Sequence, residues 1–160
     1  MRFSFLFCFL VLCNSAVAQK DTAHHREVYA EINKNEGSYQ KVKASYGEDE
    51  TTFEIVGFFD GATLRKIVAR VPGEDGNGHD EYYVENGQPL FVFNTYDSVD
   101  PVSEKDMKVE NRLYFKDGRM VKWLDTKKKP VDPKSEDFQL EAERLTTNFK
   151  NFVVALKAKR

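Results

Sequence analysis

Between Phe138 and Leu156 the apolar positions fall at Phe138, Ala142, Leu145, Phe149, Phe152 and Leu156, in steps of 4, 3, 4, 3 and 4. That spacing lays a stripe along one face of an α-helix. Ser135 or Asp137 can cap its start, and Glu136 sits near the positive end of the helix dipole. Lys157, Lys159 and Arg160 sit near the negative end. Roughly twenty residues make about 30 Å of helix, long enough to lie across a six-stranded sheet.

From residue 51 to residue 125 the period shortens. Three segments share one plan: FFDGATLRKIV at 58–68, YYVENGQPLFVF at 82–93 and LYFKDGRMVKWL at 113–124. Each runs from aromatics through Asp-Gly or Asn-Gly into an apolar stretch. Those dipeptides suit a type I′ turn, in which both central residues need positive φ. Three successive hairpins follow, turning at Asp60-Gly61, Asn86-Gly87 and Asp117-Gly118. A two-residue turn sets the register of the first: Phe59 opposite Ala62, Gly57 opposite Leu64, Ile55 opposite Lys66 and Phe53 opposite Val68. In the third, Phe115 faces Met120, Tyr114 faces Val121 and Arg112 faces Trp123. One face of the first hairpin is almost wholly apolar and the other mixed, which predicts a sheet covered firmly on one side.

Residues 21–36 predict a short helix, capped by Asp21 or Thr22 and ended by Gly37 in the left-handed conformation, with a thin stripe of Val28, Ile32 and Tyr29. Polar connections at 72–79, 97–108 and 126–137 separate the hairpins from one another and from the last helix. The predicted fold is α+β: a six-stranded antiparallel meander of three hairpins, a short N-terminal helix, and a long amphipathic C-terminal helix packed on the sheet.

The first eighteen residues follow none of these patterns. Arg2 precedes an apolar run from Phe3 to Cys13, and Ala16-Val17-Ala18 supplies the small-x-small motif of a cleavage site. This predicts a secretory signal peptide over 1–18, with cleavage before Gln19 and a single α+β domain over 19–160. Two alternatives are an uncleaved membrane anchor, for which the run is short, and a lipoprotein acylated on Cys13, for which Leu12 is larger than the residue expected there. Cleavage removes both cysteines, Cys8 and Cys13, so the exported chain would rely on its core rather than on a disulfide. It would keep 142 of the 160 residues, and losing Arg2 would take the net charge from -2 to -3. Without a basic excess, nucleic acid is not an expected partner.

Candidate chemistry is sparse. His24 and His25 are adjacent, so on a helix they point about 100° apart and read as a solvated pair. Glu74 to Glu81 is oxygen-rich but fails the spacing of a calcium-binding helix-loop-helix: counting from Asp75, the sixth position is Asp80 and the twelfth Asn86. Lys127-Lys128-Lys129 reads as a solvated linker. No G-x-S-x-G or H-E-x-x-H motif occurs, and no cofactor is implied. What remains is a surface. If the C-terminal helix covers one sheet face, the other carries Arg112, Tyr114, Val121 and Trp123. Aromatics around one arginine are the composition of binding hot spots, with Arg112 stacked on Trp123 as a cation–π pair. The competing expectation is that the N-terminal helix or a coiled sheet buries these side chains.

The segments AEINKN (30–35), SYQKV (38–42), FFDGATLRKIVAR (58–70), DEYYVENGQPLFVF (80–93) and ENRLYFKDGRMVKWLD (110–125) together resemble a group of exported bacterial proteins common in Bacteroidetes-type genomes. The resemblance spans about residues 27–150. Aromatic-x-Asp-Gly hairpins also occur in MORN-like and other bacterial repeat proteins. It implies a periplasmic or secreted location and brings no functional residues with it. The expected function is a non-catalytic envelope or secreted module binding a protein, peptide or glycan through its loops or its sheet face, where Arg112, Tyr114 and Trp123 are the candidate binding residues. The alternatives are a hydrolase of envelope polymers using acids of Glu74–Glu81, and a small-ligand carrier with a pocket between helix and sheet.

Overall fold

A computed structural model describes residues 22–47, 52–71, 78–100 and 102–160. The expected signal peptide, its cleavage site and Cys13 lie outside the described residues, as does the 72–77 part of the first connection. Helix α1 spans Ala23–Asn35. Seven strands follow: β1 Gln40–Tyr46, β2 Phe53–Asp60, β3 Thr63–Val71, β4 Gly78–Glu85, β5 Gln88–Val99, β6 Asp106–Lys116 and β7 Arg119–Leu124. Helix α2, Glu136–Lys157, closes the order. All strands pair antiparallel with their sequence neighbours in one sheet, β1 to β7.

The meander is therefore one strand longer than expected. Strand β1, QKVKASY, sits at the edge and alternates weakly: Val42 and Ala44 face the core, while Lys41 and Lys43 are exposed. Such lysines on an edge discourage pairing with another chain, and they also mask the strand as a polar stretch.

Turn chemistry follows the sequence at two hairpins. Asn86-Gly87 and Asp117-Gly118 have φ of 51° and 74°, and 51° and 73°, as type I′ turns require. The first hairpin differs. It closes on Asp60 opposite Thr63, so Gly61 (φ 53°) and Ala62 form the turn. Each hairpin then carries a bulge early in its second strand: the register steps past Arg65, past Leu90 and past Val121. A bulge inserts one residue and reverses the in–out alternation beyond it. The expected pairs are corrected accordingly. Gly57 faces Ile67, Ile55 faces Ala69, Tyr114 faces Lys122, and Arg112 faces Leu124; Phe115 does face Met120.

One sheet face is covered along its length, as expected, and the other only in part. Helix α2 lies across the first with the expected stripe: Phe138, Leu145, Phe149, Phe152 and Leu156 are buried and Ala142 packs beside them. Ser135 Oγ accepts from Phe138 N at 3.3 Å as its cap. Twenty-two residues give about 33 Å of helix, against about 29 Å for seven strands. The helix thus reaches from Trp123 on β7, whose ring lies 6.5 Å from Phe138, to Phe53 on β2, 5.2 Å from Phe152.

Helix α1 covers part of the second face. Val28 and Ile32 are buried against Phe58, Tyr83 and Phe91. Gly37 does not end it in the left-handed region; the chain passes instead into a 3₁₀ turn over Glu36–Ser38. The β3 bulge directs two successive cations at this helix. Arg65 donates to Glu31 at 2.7 Å. Buried Lys66 reaches Glu36 at 2.8 Å, Glu81 at 3.0 Å and Asn33 at 3.2 Å. An ammonium taken from water needs such partners, and these fix where the end of α1 sits.

Candidate functional site

Tyr114 and Arg112 alternate with Leu113 on β6, so both point to the α1 face while Leu113 enters the α2 core. Trp123 is not with them. The Val121 bulge turns it to the α2 side, opposite Leu113, where it packs on the core and donates through Nε1 to Asn111 Oδ1 at 3.0 Å. The expected Arg112–Trp123 stack is absent among the described residues. The Arg112 guanidinium lies instead over Phe93 of β5, 5.2 Å from the ring centroid.

Arg112, Tyr114, Phe91 and Phe93 from the sheet, with His25, Arg26 and Tyr29 from α1, enclose a cavity of about 260 Å³. Its rings touch one another: Phe91 lies 5.1 Å from Tyr114 and 5.8 Å from Tyr29, and His25 stands edge-on to Tyr114 at 5.3 Å. Arg112 Nη2 donates to Glu110 at 3.0 Å, whereas Nη1 is buried without a hydrogen-bond partner among the described residues. His25 Nε2 sits 3.0 Å from the carbonyl oxygen of Phe115. A carbonyl only accepts, so Nε2 carries a proton, and in the neutral ring Nδ1 is an acceptor. That Nδ1 is likewise buried and unpartnered. Burial raises the Tyr114 phenol above its ordinary pKa, while Arg112 and Arg26 pull the other way; it stays neutral at physiological pH.

His24 is solvated as expected, and His25 is half-buried; both also make contacts that dock α1. His24 Nε2 meets Glu85 at 2.8 Å, and His25 reaches β6. Together they pin the start of α1 to the ends of the second and third hairpins. A second cavity of about 380 Å³ lies between those ends, and it shares His25 and Tyr114 with the first.

The acids proposed for hydrolysis are engaged where they are described. Asp80 is fully buried; it accepts from Arg144 Nη1 at 2.8 Å and from Asn94 at 2.8 Å. Asn94 in turn accepts from Asn111 at 2.9 Å. A polar ladder thus runs Arg144–Asp80–Asn94–Asn111–Trp123 beneath α2. Burial works against the Arg144 charge, but Glu141 and Asp80 outweigh it and hold the guanidinium protonated. Glu81 pairs with Lys66 and accepts from the Tyr83 hydroxyl at 2.8 Å. Glu74–Asn77 lie outside the described residues. Among the described residues no three His, Cys, Asp or Glu side chains converge on a metal position, and no helix is long and apolar enough to cross a membrane.

Of the three side chains expected from sequence, the structure brings Arg112 and Tyr114 together and sends Trp123 to the other face. It adds His25, Arg26, Tyr29, Phe91 and Phe93. A signal for the helical pair was present: His25 and Tyr29 stand four residues apart, one step along a helix flank. Comparison with protein-family models, with curated proteins and with solved structures finds no match to this chain.

Proposed function

We propose that this chain is an exported, non-catalytic binding module that takes a protein or peptide segment in the groove between α1 and strands β5–β6. The observation that carries this reading is Arg112: a guanidinium seated on Phe93 in an aromatic cup, with Nη1 left without a hydrogen-bond partner among the described residues. A buried unsatisfied donor costs stability, so its presence at the edge of a cavity calls for a partner such as a water, an ion or a bound group. Arginine and tyrosine are also the side chains that dominate binding energy at interfaces. The export half of the proposal rests on the Arg2, Phe3–Cys13 and Ala16–Ala18 pattern.

Two measurements test it. Affinity capture from envelope extract should recover partners with wild type and with Trp123→Phe, and lose them with the double variant Arg112→Gln/Tyr114→Ala. Equal recovery with all three would remove the groove from consideration. Intact mass of the protein from its native host should show a chain beginning at Gln19; a full-length mass would remove the export reading.

A further inference from the structure

The groove has a chemistry that narrows what enters it. The lining of the two cavities holds Arg26, Arg112, Lys116 and Lys122 against Glu85 and Asp117, an excess of positive charge around an aromatic floor. Lys122 lies over the Tyr114 ring at 5.6 Å, next to the partition between the cavities. The first cavity, at about 260 Å³, exceeds the roughly 150 Å³ that accepts a benzene ring. It has room for one ring and a carboxylate beside it. Arg112 Nη1 offers an unused donor on a cation, and the neutral form of the His25 ring, with Nε2 donating to Phe115, offers an unused acceptor at Nδ1. A ligand that satisfies both carries a carboxylate next to an N–H, as the last residue of a peptide does. The second cavity, beyond the His25–Tyr114 partition, continues the groove for the residues that precede it.

We propose, building on the binding-module reading, that the groove captures a peptide carboxyl terminus whose last side chain is aromatic. The ring lies among Tyr29, Phe91 and Phe93, the α-carboxylate pairs with Arg112, the last amide donates to His25, and the upstream residues cross Tyr114. As the groove stands, neither Arg112 Nη1 nor His25 Nδ1 is open to water, although 24% of the Arg112 side chain is exposed. Binding therefore turns the guanidinium on the Phe93 ring and moves the Tyr114 ring aside. It exchanges two unsatisfied buried groups for two hydrogen bonds, one of them charge-assisted.

The test is amide-resolved NMR titration of the ¹⁵N-labelled protein with four probes: the peptide Gly-Ser-Gly-Ser-Phe with a free carboxyl terminus, the same peptide amidated, N-acetylphenylalanine, and the free-acid peptide ending in alanine. The free-acid phenylalanine peptide is expected to shift amides of α1, β5 and β6. The amidated peptide is expected to bind at least about tenfold more weakly, the scale of one lost charge-assisted hydrogen bond, and the alanine-ending peptide at least about tenfold more weakly for the lost burial of its ring. Arg112→Gln should abolish the difference between acid and amide, and Trp123→Phe should preserve it. Equal binding of acid and amide overturns carboxyl-terminal recognition while leaving peptide binding intact. N-acetylphenylalanine binding as tightly as the peptide overturns the peptide source in favour of a small aromatic acid. No shift in the groove with any probe overturns the inference. Loss of captured partners with Arg112→Gln/Tyr114→Ala would then still stand as the separate measure of the module itself.

Discussion

Gly57 is the point of closest approach between sheet and helix, and adding one methyl group there probes the packing directly. The residue is buried on the α2 side of β2. A Cβ at that position would lie 2.7 Å from Leu156 Cδ1, 3.0 Å from Leu156 Cδ2 and 2.9 Å from Phe59 Cε2. Carbon atoms in contact stand about 3.5–4.0 Å apart, so the methyl overlaps by close to an ångström. Leu156 is fully buried, and with Phe59 it borders a cavity of about 280 Å³, so the two side chains give way only by repacking toward that space. Overpacking of this kind costs about 1–3 kcal/mol. The backbone at Gly57 is ordinary strand, so alanine regains about 0.4–1 kcal/mol by restricting the unfolded chain. A net loss of about 1–2 kcal/mol should lower Tm by about 3–8 °C in a chain of this size. Leu156→Ala alone should cost about 2–5 kcal/mol, but it opens the space that the added methyl group needs. The double variant Gly57→Ala/Leu156→Ala should therefore be more stable than the sum of the single losses, by about 1 kcal/mol. Thermal and urea unfolding followed by circular dichroism read all three. A Gly57→Ala protein melting at or above wild type, or losses that simply add, would refute the packing of α2 on β2.

Other elements are tested in the same way. Asp80→Leu leaves Asn94 and Arg144 each short of a partner in the core and should cost about 3 kcal/mol in urea unfolding; Asp80→Asn, which keeps an acceptor, should cost less. Phe149→Asp places a charge in the middle of the α2 stripe and should abolish cooperative unfolding, so unchanged melting would contradict the stripe. His24 should titrate above 6.5 in proton NMR, chiefly because Glu85 accepts its hydrogen bond, and Glu85→Gln should return it toward that value. Since the folded form has the raised pKa, this contact stabilises α1 fully below about pH 6.5 and is lost as pH rises through the raised value. The ring is 57% exposed, so solvent screens the pair and hydrogen exchange at the start of α1 should rise only modestly.

What the sequence announces and what it hides separate along physical lines. The α2 stripe is legible because six apolar side chains keep one helical period without interruption. Two of the three turns are legible because Asn-Gly and Asp-Gly suit φ values few other pairs tolerate. Strand β1 is hidden by its edge lysines. The bulges at Arg65, Leu90 and Val121 are hidden because nothing local distinguishes them from continuous strand. That one residue of register decides the site. Trp123 reads as a neighbour of Arg112 under strict alternation, and the Val121 bulge puts it on the opposite face. Asn94 and Asn111 are a subtler sign: polar residues at inward positions survive there because each completes the other's hydrogen bonds. The aromatic cup depends on where α1 docks. That docking is set by His24, His25, Arg65 and Lys66 contacts with partners up to ninety residues apart in sequence, which no local pattern reveals.

The central claim is that the flank of α1 is the binding surface. Site-specific photocrosslinking in the producing cells tests it most directly. p-Benzoylphenylalanine in place of Tyr29, which is 40% exposed at the rim of the cup, is compared with the same residue in place of Leu140, which is 58% exposed on the outer side of α2. A discrete adduct from position 29, lost when Arg112→Gln is added and absent from position 140, is the predicted result. An adduct from position 140 alone, or one from position 29 that Arg112→Gln leaves unchanged, would contradict it.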